Sequence, residues 1–240
     1  MTQIGIIGFG SQANAFSQNL RDSGYGIHIL LRKSSQSKKL AEKRNFSILD
    51  YDLSTIRTDI HYLIVLTPDD SHGEILSTIL KINPDRKFCF IFAHGYSFIK
   101  ENLKELFPGQ NFGLLAPKTI ASELRNRYLS KEKIVGVLDF KHCEDDQVIL
   151  RKIAKDMGIN HIIESSFKDE MRADLFSEQT LLCSLLPYGA LKSYEFLIDK
   201  GIDPELAFVE CWMEVKLIAD AMLEHGPLGY LNLISPNAFI

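Results

Sequence analysis

Residues 4–13 read Ile4-Gly5-Ile6-Ile7-Gly8-Phe9-Gly10-Ser11-Gln12-Ala13. A short apolar strand over 4–8 runs straight into a G-x-G-x-x-G/A turn. This is the turn that joins strand to helix in a dinucleotide-binding βαβ unit. Gly8 and Gly10 allow the tight turn and the close approach of backbone to a pyrophosphate, and Ala13 permits close packing of helix on strand. The helix expected over 12–23 offers its first N–H groups and the positive end of its dipole to the phosphates.

The second strand, expected over 26–31, refines the cofactor. A site that takes NAD places an acid about 20 residues on, to bind the ribose 2′-OH. Here the strand ends in Arg32-Lys33-Ser34-Ser35-Gln36-Ser37, with no acid. A guanidinium beside several hydroxyls suits a 2′-phosphate through charge-assisted hydrogen bonds, so NADP is expected over NAD.

Further along, short apolar strands alternate with helical stretches. Strands are expected over 61–67, 88–93, 112–116, 134–139 and 160–164, and helices over 71–80, 99–107 and 144–157. Alternation of this kind implies an α/β fold, a doubly wound, mainly parallel Rossmann sheet. From residue 167 the strand signal fades, and helices are expected over 177–186, 190–200 and 204–225. Asp203 suits the N-cap of the last one and Pro204 its first position. The expected organisation is a dinucleotide-binding domain over 1–165 and a smaller all-helical domain over 166–240.

Ligands of doubly wound sheets bind beyond the carboxyl ends of the strands. His94 in Phe-Ala-His-Gly and Lys118 in Leu-Ala-Pro-Lys follow the strands expected fourth and fifth, and are candidate catalytic groups. Thr67-Pro68-Asp69 follows the third and is expected to line the cofactor groove.

Four carboxylates mark the helical part. Asp174 and Glu178 are spaced i, i+4, and Glu210 and Glu214 repeat the spacing. Residues so spaced share one helix face, roughly 5–6 Å apart at Cβ. No Lys or Arg lies three or four residues from the first pair to offset its like charges. A shared cation would offset them, and hard oxygen ligands suit Mg²⁺ or Mn²⁺. Two solvated acidic edges are the alternative.

Composition bounds what remains. The net charge of −4 gives no basic footprint for nucleic acid. No apolar run reaches the roughly 18–20 residues that span a bilayer, and no signal peptide is visible. The four cysteines are scattered, without a C-x-x-C pair, so a disulfide framework is not expected and a reducing cytoplasm fits.

Read together, these segments resemble one family, the ketol-acid reductoisomerases. GFGSQANAFSQNLRDSG, LRKSSQS, LTPD, FAHG, LAPK, SFKDEMRADLFSEQTLLC and PELAFVECWMEVKLIADAMLEHG occur in family order and cover most of the chain. The resemblance implies binding of NADPH and two Mg²⁺. It also implies a two-stage reaction: an alkyl group of a 2-hydroxy-3-keto acid migrates, and the new ketone is reduced to give a 2,3-dihydroxy acid in branched-chain amino-acid synthesis. By position, it makes Asp174 and Glu178 metal ligands from one helix, with Glu178 as the bridging or orienting group. Glu210 and Glu214 become ligands from another helix, which in short members comes from the partner subunit, so a homodimer with a shared active site is expected. His94 and Lys118 match the polar residues beside the metals, and Ser235 matches a serine that binds the substrate carboxylate. Gly8, Gly10, Ser11, Gln12, Arg32, Ser35 and Ser37 match cofactor contacts, with Thr67 and Pro68 alongside.

The chain also departs from the pattern. Thr119-Ile120-Ala121 stands where the family has Gly-Pro-Gly, and Ser184 and Leu185 stand where it has two glycines. The sequence closes at Ser235-Pro236-Asn237-Ala238-Phe239-Ile240, where even short members continue for several helices. A short, class I-like, divergent and C-terminally truncated member is expected. A related NADP-dependent reductase on a different keto acid, or a non-catalytic NADP-binding paralogue, are the alternatives.

Overall fold

The computed structural model describes residues 1–234, without the side chains of residues 144 and 227. It divides into two compact units, Met1–Ala173 and Asp174–Ile240.

The first unit is an eight-stranded sheet with helices on both faces. Its strands are β1 (Gln3–Ile7), β2 (Gly26–Leu31), β3 (Ser47–Asp50), β4 (Ile60–Val65), β5 (Cys89–Phe92), β6 (Asn111–Pro117), β7 (Val135–His142) and β8 (His161–Glu164). Their spatial order is β3-β2-β1-β4-β5-β6-β7-β8. All neighbours pair in parallel except β6 and β7. The order reverses between β1 and β4, which makes the loop after β1 the switch point, where such sheets bind ligands.

The helices of this unit are α1 (Ser11–Asp22), α2 (Lys38–Lys43), α3 (His72–Ile82), α4 (Tyr96–Lys100), α5 (Leu103–Leu106), α6 (Ala121–Ser130), α7 (Gln147–Asp156) and α8 (Phe167–Ser177). The strands read as near-continuous apolar runs because both faces are covered. Alternate residues serve alternate layers. Ile4, Ile6, Cys89 and Ile91 pack with Phe16 and Leu20 of α1 and with Leu150 and Ile153 of α7. Ile7, Phe90 and Phe92 pack on the other face with Ile75 and Ile79 of α3 and with Phe98 of α4. Ala13, Phe16 and Leu20 are fully buried along one stripe of α1, the i, i+3, i+7 pattern of a helix laid on a sheet.

Two sequence expectations need correction. Seven strands were legible, but β3 makes an eighth. It is four residues long and only partly buried, so its apolar signal is weak. His94 and Lys118 therefore follow the fifth and sixth strands. The single helix expected over 99–107 is two short ones, α4 and α5, parted at Asn102, whose backbone is left-handed (φ 53°).

The second unit is helical: the rest of α8, then α9 (Leu186–Asp199), α10 (Pro204–Phe208) and α11 (Glu214–Leu231). Asp203 caps α10 as expected, accepting from the N–H groups of Glu205 (2.9 Å) and Leu206 (3.2 Å). Two stretches, Glu178–Leu185 and Val209–Met213, are π-helical. Helix α11 breaks at Gly226 (φ 73°, ψ 166°), just before Pro227. Among the described residues of this unit only Ala207 and Cys211 are buried, while Phe176, Leu185, Leu217, Leu223 and Leu228 are each more than 60% exposed. No helix among the described residues is long and apolar enough to cross a membrane.

Candidate functional site

A cavity of about 540 Å³ lies at the switch point. Its walls include Gly8, Phe9 and Gly10 after β1, Arg32, Ser34, Ser35, Gln36 and Ser37 after β2, Tyr51 after β3, and Thr67 and Pro68 after β4. Of the nine residues expected to hold cofactor, Gly8, Gly10, Arg32, Ser35, Ser37, Thr67 and Pro68 line it. Ser11 and Gln12 are instead the first two residues of α1.

Gly8 has φ 93°, in the left-handed region, and a Cβ there would stand 2.7 Å from the carbonyl oxygen of Leu66. Only glycine fits. The turn is fixed by hydrogen bonds from the N–H of Gly8 to the Leu30 carbonyl (3.1 Å) and from the N–H of Leu66 to the Ile7 carbonyl (2.9 Å). The hydroxyl of Thr67 is buried and has no hydrogen-bond partner among the described residues. A narrow glycine cradle at a helix N-terminus, with an unsatisfied buried hydroxyl in the same cavity wall, fits a dinucleotide.

The 32–37 loop is held from β3. Asp52 accepts from the N–H of Lys33 (3.1 Å), and Asp50 pairs with Lys38 at the start of α2. These two acids are thus engaged, and Arg32 and the serine hydroxyls remain to give the loop its character.

A second group of polar residues lies beyond the ends of β5 and β6. Lys118 Nζ donates to Glu170 Oε1 at 2.5 Å, His94 Nδ1 is 3.2 Å from Glu170 Oε2, and the N–H of Gly95 donates to the same oxygen at 2.8 Å. Glu170 is 3% exposed. Burial pushes its pKa up, but the hydrogen bonds and charges of His94 and Lys118 outweigh this and hold the carboxyl below its ordinary range. Local sequence explains how three distant residues meet. Lys118 is pinned by its N–H to the Val135 carbonyl (2.8 Å). A Cβ on Gly95 would stand 2.2 Å from the Phe167 carbonyl, so the glycine lets α8 approach. Ser166 caps α8, accepting from the N–H of Asp169 (3.0 Å), and Asp139 accepts from the N–H of Phe167 (3.1 Å). One helical turn later Glu170 reaches both side chains.

Glu170 is the site residue that the sequence reading missed. Its signal was present: it stands four residues before Asp174, so the acidic stripe runs 170, 174, 178.

The expected metal ligands are not brought together in one chain. Asp174 is half-buried, whereas Glu178, Glu210 and Glu214 are exposed, and among the described residues no cluster of ligand atoms contains any of these three. Glu178 opens one π-helical stretch. Glu210 lies in the other, and Glu214 directly follows it. Such turns are rare and recur at functional sites. The donor set is all carboxylate oxygen, which suits a hard divalent cation. Ser235 lies outside the described residues.

Comparison with known proteins agrees with both units. Residues 1–162 match the family described as acetohydroxy acid isomeroreductase, NADPH-binding domain, and residues 167–239 match ketol-acid reductoisomerase, C-terminal domain. The ketol-acid reductoisomerase (NADP(+)) of Petrotoga mobilis is 32% identical, covering 93% of this chain and 68% of the relative. That of Helicobacter pylori strain 26695 is 35% identical, covering 98% and 72%. Among solved structures, an NADH-preferring ketol-acid reductoisomerase from an uncultured archaean superposes with a TM-score of 0.79 at 26% identity, covering 99% of this chain and 73% of that one.

Proposed function

The chain belongs to the ketol-acid reductoisomerase family, and on that premise we propose that it is an NADPH- and Mg²⁺-dependent oxidoreductase of that type. Its substrate is a 2-hydroxy-3-keto acid of branched-chain amino-acid synthesis. An alkyl group moves to the neighbouring carbon, and the ketone so formed takes a hydride to give a 2,3-dihydroxy acid. The observation that carries this reading is Glu170 binding both Lys118 and His94 beyond the strand ends of a dinucleotide fold. A module that only bound nucleotide would not need a buried carboxylate to aim a lysine and a histidine.

Residues 1–165 carry the cofactor and residues 166–240 the metal, the substrate and the dimer contact. Gly8 and Gly10 admit the pyrophosphate, and Ser11 and Gln12 present the N-terminus of α1 to it. Arg32, Ser35 and Ser37 take the 2′-phosphate, while Thr67 and Pro68 flank the other half of the dinucleotide. Asp174 and Glu178 from one helix, with Glu210 and Glu214 from another, would hold two Mg²⁺, Glu178 orienting both. Bound there, the ions would supply Lewis acidity to the substrate. Lys118 and His94, fixed by Glu170, hold protons at the substrate oxygens as charge develops. Ser235 binds the substrate carboxylate.

The acids reach one another through a homodimer, in which Glu210 and Glu214 come from the partner. The bare apolar faces of the second unit support this, since six of its described large side chains are over 60% exposed and need a cover.

The test is turnover of 2-acetolactate, followed by loss of NADPH absorbance. Oxidation that needs Mg²⁺ and is lost in Glu178→Gln is expected. Metal-independent oxidation would point to a plain NADP-dependent reductase, a reading to which the altered Thr119-Ile120-Ala121 segment lends some support.

A further inference from the structure

His72, the first residue of α3, is 3% exposed and has no part in the chemistry described above. Its Nε2 lies 2.9 Å from the carbonyl oxygen of Thr67, and its Nδ1 lies 2.6 Å from Ser97 Oγ. A carbonyl only accepts, so Nε2 carries the proton. In the neutral ring Nδ1 then accepts, and the Ser97 hydroxyl donates to it. Burial lowers the pKa of His72, against smaller opposing effects of the Thr67 hydrogen bond and of Asp69, Glu101 and Asp70, which favours that neutral ring. The neighbouring carbonyl of Pro68 is held by the hydroxyl of Ser71 at 2.6 Å. The Thr67 and Pro68 carbonyls are therefore both tied down by residues at or just before the start of α3.

What the loop offers is on its other side. Thr67 lines the dinucleotide cavity, and its buried hydroxyl has no partner among the described residues. The cavity crosses from β2 over β1 to β4. Arg32 and its serines, on the β2 side, face the adenosine half, so Thr67, on the β4 side, faces the nicotinamide half.

We propose that His72 is a positioning residue for the nicotinamide half of the cofactor: through Nε2–H it fixes the Thr67 backbone, and with it the wall of the dinucleotide cavity on the β4 side. This deepens, and rests on, the reading of the chain as an NADPH enzyme.

Two substitutions separate the two ring nitrogens. In His72→Gln the side-chain amide reaches as far as Nε2, and keeps the bond to Thr67 while losing the one to Ser97. In His72→Asn the shorter amide reaches only as far as Nδ1, and keeps Ser97 while losing Thr67. Binding is measured by titration without turnover, using NADPH, NADH and adenosine 2′,5′-bisphosphate, which carries the adenosine half alone. His72→Asn is expected to weaken NADPH and NADH alike by about three- to tenfold, the loss of one hydrogen bond. It should leave the bisphosphate unaffected, and His72→Gln should restore NADPH binding to near the wild-type value. Equal NADPH affinities in the two variants would overturn the proposal. So would a loss of bisphosphate binding in His72→Asn, because that is what general loosening of the fold would produce. A wild-type protein that bound no nicotinamide cofactor would overturn the proposed function with it. A wild type that bound NADPH but converted no keto acid would overturn the function alone.

Discussion

Lys118 Nζ and Glu170 Oε1 stand 2.5 Å apart although 52 positions separate them in the chain, and the carboxylate between them and His94 is almost wholly out of water. The carboxyl sits below its ordinary pKa despite burial, so the folded state binds its proton less readily than the unfolded chain. Its contribution to stability is therefore present above the unfolded value of about 4.3 and lost as pH falls through the lower folded value. Glu170→Gln is expected to cost about 1–3 kcal/mol at neutral pH, by removing the buried negative charge that meets the Lys118 ammonium. In denaturant titrations the gap between wild type and variant should close below pH of about 4. A gap independent of pH would contradict the role of the ionised carboxylate.

Gly8→Ala tests the turn after β1. The new methyl would meet the Leu66 carbonyl at 2.7 Å and the backbone would be held in the left-handed region. Displacement of the loop is expected to weaken NADPH by more than about tenfold, with loss of stability on the order of 1–3 kcal/mol. Calorimetric titration and thermal melting read both.

Arg32→Ala tests the choice of cofactor. A charge-assisted contact to the 2′-phosphate is worth about 1.5–3 kcal/mol, so the preference for NADPH over NADH should fall by about ten- to a hundredfold. NADH affinity itself should hardly change. Equal losses for both cofactors would mean that Arg32 does not read the phosphate.

The apolar faces of the second unit make a dimer the expected species in sedimentation. Leu223, which is 85% exposed, is a suitable probe. Leu223→Asp is expected to weaken association by about tenfold or more. A wild type that sediments as a monomer at micromolar concentration would contradict the shared site.

His72 gives a second pH signature. Its pKa is lowered by burial, with Asp69, Asp70, Glu101 and the Thr67 carbonyl acting against the shift. A histidine depressed in the folded state stabilises above its unfolded pKa of about 6.5, and that stability is lost as pH falls below it. His28, also buried and lowered, adds to the same slope. The dependence of melting temperature on pH below about 6.5 should thus be shallower, though not flat, in His72→Gln.

Much of the fold was legible because strands buried on both faces write their core into the sequence. Ile4–Ile7 of β1 and the apolar runs of β4 and β5 are unmistakable. The partly buried β3 is not, and the left-handed Asn102 that divides α4 from α5 leaves no mark in the pattern of polar and apolar residues. Within the site, Gly8 and Arg32 are set by local chemistry and were readable. Glu170 was not singled out, since its role arises only when α8, β5 and β6 are folded together. His72 is invisible for the same reason: its partners, Thr67 and Ser97, are defined by the packing of α3 and α4 beside β4 and β5. Helical spacing alone arranged the four acids in two pairs, but with Glu178, Glu210 and Glu214 exposed in one chain, spacing does not say which second helix would complete a shared set.

The most direct measurement is the carbon skeleton of the product. NADPH, Mg²⁺ and 2-acetolactate would be incubated with the protein and the product identified by carbon NMR. Migration followed by reduction gives a dihydroxy acid with both methyl groups on the carbon that was the ketone. Reduction without migration gives one methyl group on each of two neighbouring carbons, and that product, or none at all, would contradict the assignment as a reductoisomerase.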